Sequence, residues 1–209
     1  MSLHERVFCR SAPWRWFART VVLPWALQGE PLRGEVLELG SGSGAMAAAI
    51  LEQSPSARLT ATDYDPRMVE TLERRLARFG GRASVLRADA AALPFESATF
   101  DAVVAFLMLH HVGRWEDALA EAARVLRPDG VLLAYDLVAN PLTRGLHRIA
   151  PGHGERPVEW HRLRPVLEGL PFRDVRAQRR AALVFRVAAR RSERAAAAAL
   201  SVRARPARD

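Results

Sequence analysis

The sequence predicts an α/β protein: a doubly wound, mostly parallel seven-stranded sheet with helices on both faces and an antiparallel hairpin at one edge. Three observations lead there. Short apolar runs alternate with helix-length segments from residue 34 to residue 136. The first run ends in the loop Gly40-Ser41-Gly42-Ser43-Gly44, and two late segments alternate apolar with charged residues, as half-exposed antiparallel strands do.

In order, residues 1–33 carry Trp14, Trp16, Phe17 and Trp25 among arginines in a helix-like pattern that stops near Pro24 and again at Pro31. One or two helices packed on the domain are expected there. Val36–Leu39 reads as a buried strand, and Ala45–Gln53 as the helix after the glycine loop. Arg58–Thr62 is the next strand, opening at Asp63-Tyr64-Asp65-Pro66 into a helix over Met68–Phe79. Ala83–Arg87 and Phe100–Phe106 follow as strands, and Trp115–Leu126 as a helix. Arg127-Pro128-Asp129-Gly130 has Pro and Gly where a tight turn wants them, leading into a strand over Val131–Asp136. Pro141, Pro151, Gly152, Gly154 and Pro157 then loosen the pattern into loop. Arg162–Leu170 is a last helix, Asp174–Arg179 and Leu183–Ala189 are the edge strands, and 192–209 reads as a frayed helix or flexible tail. The expected organisation is a helical cap (1–33), one α/β body (34–191) and an Arg/Ala-rich tail (192–209).

Length and composition bound the function. With 209 residues the chain suits one well-buried domain. The longest apolar run, Thr20 to Leu27, is broken by Pro24, so no membrane span is expected. No signal peptide is expected either, and a cytoplasmic protein is the default. The single cysteine, Cys9, excludes an intramolecular disulfide and a multi-cysteine zinc site. All 31 basic residues are arginine, and the whole excess of +8 falls in residues 173–209. A neutral body with a basic end argues against a nucleic-acid grip, and a solvated Arg-rich end is the plainer reading.

The chemistry concentrates at strand ends. Glu38 closes the first strand, Asp63 the second, and Asp89-Ala90 follows the third. Parallel strands bring such ends to one edge of the sheet, so the three carboxylates converge on one crevice. Asp63 follows Gly44 by 19 residues, the spacing at which a carboxylate accepts from ribose hydroxyls. Asp89 suits an exocyclic amine, the Ala90 N–H a ring nitrogen, and Tyr64 a ribose or adenine face. Singly, each has a duller role: Glu38 as a helix-dipole partner, Asp63 as an N-cap, Asp89 as a turn residue. Together, in order, they describe a nucleoside site.

These segments resemble class I S-adenosylmethionine-dependent methyltransferases, whose fold is Rossmann-like. The likeness runs from Val36-Leu37-Glu38-Leu39-Gly40-Ser41-Gly42-Ser43-Gly44 through Ala61-Thr62-Asp63-Tyr64-Asp65-Pro66 and Arg87-Ala88-Asp89-Ala90. It continues through Leu109-His110-His111-Val112 to Arg124-Val125-Leu126-Arg127-Pro128-Asp129-Gly130, the most specific segment. The resemblance implies that the loop of Gly40, Ser41, Gly42 and Gly44 cradles the methionine part of the cofactor and that Glu38 helps hold its amino group. It further implies that Asp63 holds the ribose, that Asp89 with Ala90 reads the adenine, and that Ala105 and Phe106 border the reacting methyl. S-adenosyl-L-methionine is then the cofactor, S-adenosyl-L-homocysteine the product, and a small molecule with a nucleophilic O, N or C the methyl acceptor. No Asn/Asp-Pro-Pro-Tyr/Phe sequence follows the fourth strand, which disfavours the subtype that methylates exocyclic amines of bases or glutamine.

His110, and after it His111, are the candidates to deprotonate or orient the acceptor, opening a helix after the fourth strand. Packing or capping is their alternative. His147, His153 and His161 show no metal-ligand spacing. Trp14, Trp16, Trp25 and Trp160 are expected to pack rather than cage a ligand. The Trp-rich N-terminus and residues 138–161 are expected to roof the acceptor pocket. Two rival readings are an NAD-type oxidoreductase, which wants Gly-x-Gly-x-x-Gly rather than glycines at 40, 42 and 44, and a non-catalytic scaffold, which has no need of three converging carboxylates. A monomer or homodimer is expected.

Overall fold

In the computed structural model, which describes residues 16–139, 158–180 and 183–193, seven strands form one sheet in the order β3-β2-β1-β4-β5-β7-β6. They are β1 (Gly34–Leu39), β2 (Ala57–Asp63), β3 (Ala83–Arg87), β4 (Phe100–Phe106), β5 (Leu126–Leu137), β6 (Phe172–Arg180) and β7 (Val184–Arg191). The pairings among β1 to β5 are all parallel, whereas β7 runs antiparallel to both β5 and β6. Strand order reverses between β1 and β4, and this is where an open α/β sheet leaves a crevice at its carboxyl edge.

Helices cover both faces because the central strands are apolar on both. Val36 packs into one core and Leu37 into the other, as strand alternation requires. The first core lies under a π-helical turn (Ala18–Val22), α1 (Leu23–Leu27), α2 (Ala45–Gln53) and α3 (Pro66–Leu76), with Leu23, Ile50 and Leu72 fully buried. The second lies under α4 (Trp115–Val125) and α5 (Trp160–Gly169), built on Trp115, Leu119, Leu167 and Phe185. The helical segment before β1 thus packs into the same body as the sheet. No helix among the described residues is long and apolar enough to cross a membrane.

Several boundaries differ from the sequence reading, each for a local reason. Helix α3 begins at Pro66, not Met68, because Asp65 caps it by accepting from the Arg67 N–H at 2.9 Å and Pro66 sits where no helical N–H is needed. It buries Met68, Leu72 and Leu76, one stripe at intervals of four, and gives way to a 3₁₀ turn over Ala77–Arg82. The expected turn Arg127-Pro128-Asp129-Gly130 is instead an excursion within β5. Phe100 pairs with Leu126 and Ala102 with Val131, so the extra residues bulge opposite Asp101, whose carboxylate accepts from Arg127 Nη1 at 2.7 Å. On the outer strand β6, Arg173, Arg176, Arg179 and Arg180 are exposed. Arg173 pairs with Asp129, and Arg176 with Glu30.

Two tryptophans alike in the sequence differ in what holds them. Trp115 is 1% exposed and Trp16 67% exposed. Trp115→Ala should cost about 3–5 kcal/mol in urea unfolding through the cavity it leaves, and Trp16→Ala should stay within about 0.5 kcal/mol of the parent.

Candidate active site

The loop after β1 is tied to the tip of β2 on both sides. The Ser41 N–H donates to the Thr62 carbonyl at 2.8 Å, and Thr62 Oγ1 donates to the Glu38 carbonyl at 2.8 Å. The Gly42 N–H donates to Asp63 Oδ2 at 2.8 Å, and the Gly44 N–H closes the turn on the Ser41 carbonyl. Two glycines are demanded by close approach. A Cβ on Gly40 would lie 2.6 Å from Met108 Cβ, and one on Gly44 would lie 2.7 Å from Leu72 Cδ2, both at positive φ.

The three carboxylates occupy different environments. Glu38 is buried, and its Oε2 meets no hydrogen-bond partner among the described residues. Burial pushes its pKa up from 4.5 to about 7; a hydrogen bond from Ser41 opposes the rise and the neighbouring Asp63 adds to it. Asp63 is half-buried. Its Oδ1 accepts from the Asp65 N–H at 3.0 Å, and burial raises its pKa against the pull of the backbone N–H groups of Asp65 and Gly42. Since Asp65 caps α3, Asp63 is not the cap; it braces the glycine loop. Asp89 does form a turn, accepting from the Ala91 N–H at 2.9 Å, while its Oδ2 lies 3.5 Å from Arg114 Nη2.

These tips surround a cavity of about 850 Å³, a size that suits a small ligand. Gly40, Ser41, Gly42, Asp63, Tyr64, Asp89, Ala90, Phe106, His110 and His111 all line it. Glu38, Gly44 and Ala105 stand behind the wall. Tyr64, 68% exposed, stands at the rim with Arg87 5.6 Å from its ring. At the opposite end Phe106 and Tyr135 stack at 5.2 Å, beside Met108 and Leu137.

His110 and His111 lie in a 3₁₀ turn (Leu109–His111) rather than opening a helix; α4 starts only at Trp115. Their rings are 3.9 Å apart. His110 is buried against Asp136, a fully buried residue the sequence reading passed over. Asp136 Oδ1 is 2.5 Å from His110 Nδ1 and accepts from the Leu137 N–H at 2.6 Å; Oδ2 accepts from the His110 N–H at 3.2 Å. The signal was available: Asp136 is a carboxylate closing an apolar strand, as Glu38 and Asp63 are.

Other sequence candidates lie elsewhere. Trp25 packs edge-on against Tyr135, Trp160 packs near Phe185 and His161 is exposed next to Glu159. Trp14, His147, His153, most of the segment expected to roof the pocket, and the tail from residue 194 lie outside the described residues.

Comparison with known proteins agrees with this geometry. The methyltransferase domain family matches residues 37–134. A demethylmenaquinone methyltransferase of Thermus thermophilus is 34% identical over 139 residues, 66% of this chain and 61% of that protein. A ubiquinone/menaquinone biosynthesis C-methyltransferase UbiE of Desulfotalea psychrophila is 36% identical over 134 residues, 64% of this chain and 52% of that protein. The chain thus spans between half and two thirds of the length of these relatives. Among solved structures, the PH0226 protein of Pyrococcus horikoshii superposes with a TM-score of 0.73 at 18% identity, covering 92% of this chain and 100% of that one, which shows the shared Rossmann-like fold.

Glu38 generates a prediction that needs no ligand. Its folded pKa lies above its ordinary value, so the stabilisation its protonated form contributes is complete below pH 4.5 and lost as pH rises through about 7. Urea unfolding at pH 5 and pH 8 should show wild type losing roughly 3 kcal/mol relative to Glu38→Gln across that interval. A pH-independent difference would contradict the assignment.

Proposed function

We propose that this chain, whose residues 37–134 match the methyltransferase domain family, moves the sulfonium methyl of S-adenosylmethionine to a small organic acceptor and releases S-adenosylhomocysteine. The observation that carries this reading is that Asp63 and Asp89 line one cavity together with the glycine loop, while Glu38 is buried behind its wall with Oε2 unpartnered among the described residues. An amino acid ammonium suits that oxygen, directly or through a water. The glycine loop takes the methionine chain, Asp63 the ribose hydroxyls, and Asp89 with the Ala90 N–H the adenine edge.

The cofactor supplies an already activated methyl, so the protein's task is to bind, align and exclude water. Alignment of this kind is worth up to about 7–11 kcal/mol. The stacked Phe106 and Tyr135 favour a flat acceptor lying near the reacting centre. A quinone-derived ring is the candidate, since the relatives above are named for methylation in ubiquinone and menaquinone synthesis. His110 meets the acceptor, and His111 flanks it.

Calorimetry with S-adenosylhomocysteine and NAD side by side tests the cofactor. The first should bind and the second should not, and Asp63→Ala should weaken binding by at least about tenfold. An ammonium beside Glu38 favours the carboxylate, so binding at pH 6 should release a proton, read from buffers of different ionisation enthalpy, and Glu38→Gln should abolish the release. Binding of NAD in place of the homocysteine compound would overturn the reading.

A further inference from the structure

We propose that the methyl acceptor is a flat ring carrying a carboxylate, and that Arg186 and Arg180 receive that carboxylate beside the aromatic end of the cavity; this rests on the methyl-transfer reading above. Strand register places both arginines there. Tyr135 and Leu137 line the cavity at the end of β5. Across the sheet Tyr135 pairs with Arg186 of β7, and Leu137 pairs with Val184, which pairs in turn with Arg180 of β6. Residues directly opposite one another share a face, and neighbouring strands lie about 5 Å apart. The Arg186 backbone is therefore about 5 Å beyond the cavity wall and that of Arg180 about 10 Å beyond it, on the face that carries the Tyr135 ring.

Among the exposed and half-buried arginines of β6 and β7, charge balance changes along the strands. Away from the cavity, Arg173 pairs with Asp129 and Asp174, and Arg176 and Arg190 share Glu30. At the cavity end, Arg179, Arg180 and Arg186 meet no acid among the described residues. Arg186 is nonetheless held in place. Its Nε and Nη2 donate to Gln178 Oε1 at 3.0 and 2.7 Å, its Nη1 donates to the Trp25 carbonyl at 2.9 Å, and its guanidinium lies 5.3 Å from the Trp25 ring. A guanidinium has five N–H groups, so one on each terminal nitrogen remains. Such a pair is the fork that a carboxylate fills with two hydrogen bonds. Neutral partners orient the group without cancelling its charge, and a half-buried cation gains most from an anion that completes its shell. A fork fixed in this way fits one discrete carboxylate better than a diffuse anionic surface, and the exposed Arg180 adds a second positive charge on the same face. The acceptor ring then meets the stacked Phe106 and Tyr135, and its acidic substituent extends toward β7.

The test is calorimetry on the full chain, with and without saturating S-adenosylhomocysteine, using 2-naphthoate, 2-naphthylacetate and 3-(2-naphthyl)propionate, each beside its uncharged carboxamide. Wild type should bind at least one carboxylate about tenfold or more tightly than its carboxamide, and added salt should narrow the gap. Arg186→Gln and Arg180→Gln should each remove most of that preference while leaving carboxamide affinity within about twofold of wild type. Arg173→Gln, at the far end of β6, should keep the preference. S-adenosylhomocysteine affinity should stay within about threefold of wild type in all three variants, since none of these residues is placed on the cofactor. If Arg186→Gln does not fold, Arg186→Lys, which keeps the charge and loses the fork, carries the test together with Arg180→Gln. A preference that survives these substitutions, or a wild type that binds no carboxylate better than its carboxamide, overturns the proposal. So does a dependence on the two arginines that appears only in binding to vesicles of phosphatidylglycerol and phosphatidylcholine, which would assign them to a lipid surface. Failure of wild type to bind S-adenosylhomocysteine would instead overturn the transfer reading, whatever the naphthyl series shows.

Discussion

The lacing between the tips of β1 and β2 is the constraint on which the site depends. Four hydrogen bonds hold a loop with glycines at three of its five positions: Ser41 to Thr62, Thr62 to Glu38, Gly42 to Asp63, and Gly44 to Ser41. Glycine gains close approach at the cost of conformational entropy, about 1–2 kcal/mol for each residue ordered. Each bond returns only about 1 kcal/mol net, so the loop relies on all of them and on the packing of Gly40 against Met108 and Gly44 against Leu72. Asp63 is central to this arrangement because one carboxylate braces the loop and also faces the cavity. A cradle formed in advance spares a ligand the cost of ordering it.

The two ends of the cavity treat buried carboxyl groups in opposite ways. Near the loop, Glu38 has an oxygen without a partner among the described residues, and its protonation is finely balanced near neutrality. Under the stacked rings, Asp136 is surrounded by donors and held to one imidazole. The first arrangement suits an incoming positive group. The second holds one imidazole in a fixed orientation. The difference lies in partners rather than in residue type, since both are acids at the ends of parallel strands.

Much of this was legible in the sequence, and what escaped has physical reasons. Ala45–Gln53, Ala83–Arg87 and Phe100–Phe106 were readable to the residue because a glycine loop, a glycine pair and an apolar run mark their limits. The seven-strand sheet with its antiparallel edge was readable from the change in alternation after residue 170. The Arg127-Pro128-Asp129-Gly130 excursion misled, because turn-forming residues can also bulge inside a strand when a neighbour such as Asp101 pins them. Asp136 escaped because its partner, His110, is brought to it only by the pairing of β4 with β5. The placement of Glu38 behind the wall rather than on it likewise depends on how deeply β1 is buried.

The reversed strand β7 has a consequence for the margins of the sheet. By pairing with β5 it covers what would otherwise be the open flank of a hydrophobic parallel sheet, and it moves the flank outward to β6. There Arg179 and Arg180 are exposed beside Arg173 and Arg176, which are paired with Asp129 and Glu30. The opposite flank, β3, is only five residues long and offers little backbone to template a newcomer. The margins of the sheet thus leave little open backbone of apolar character: one flank is short, and the other is lined by charged side chains.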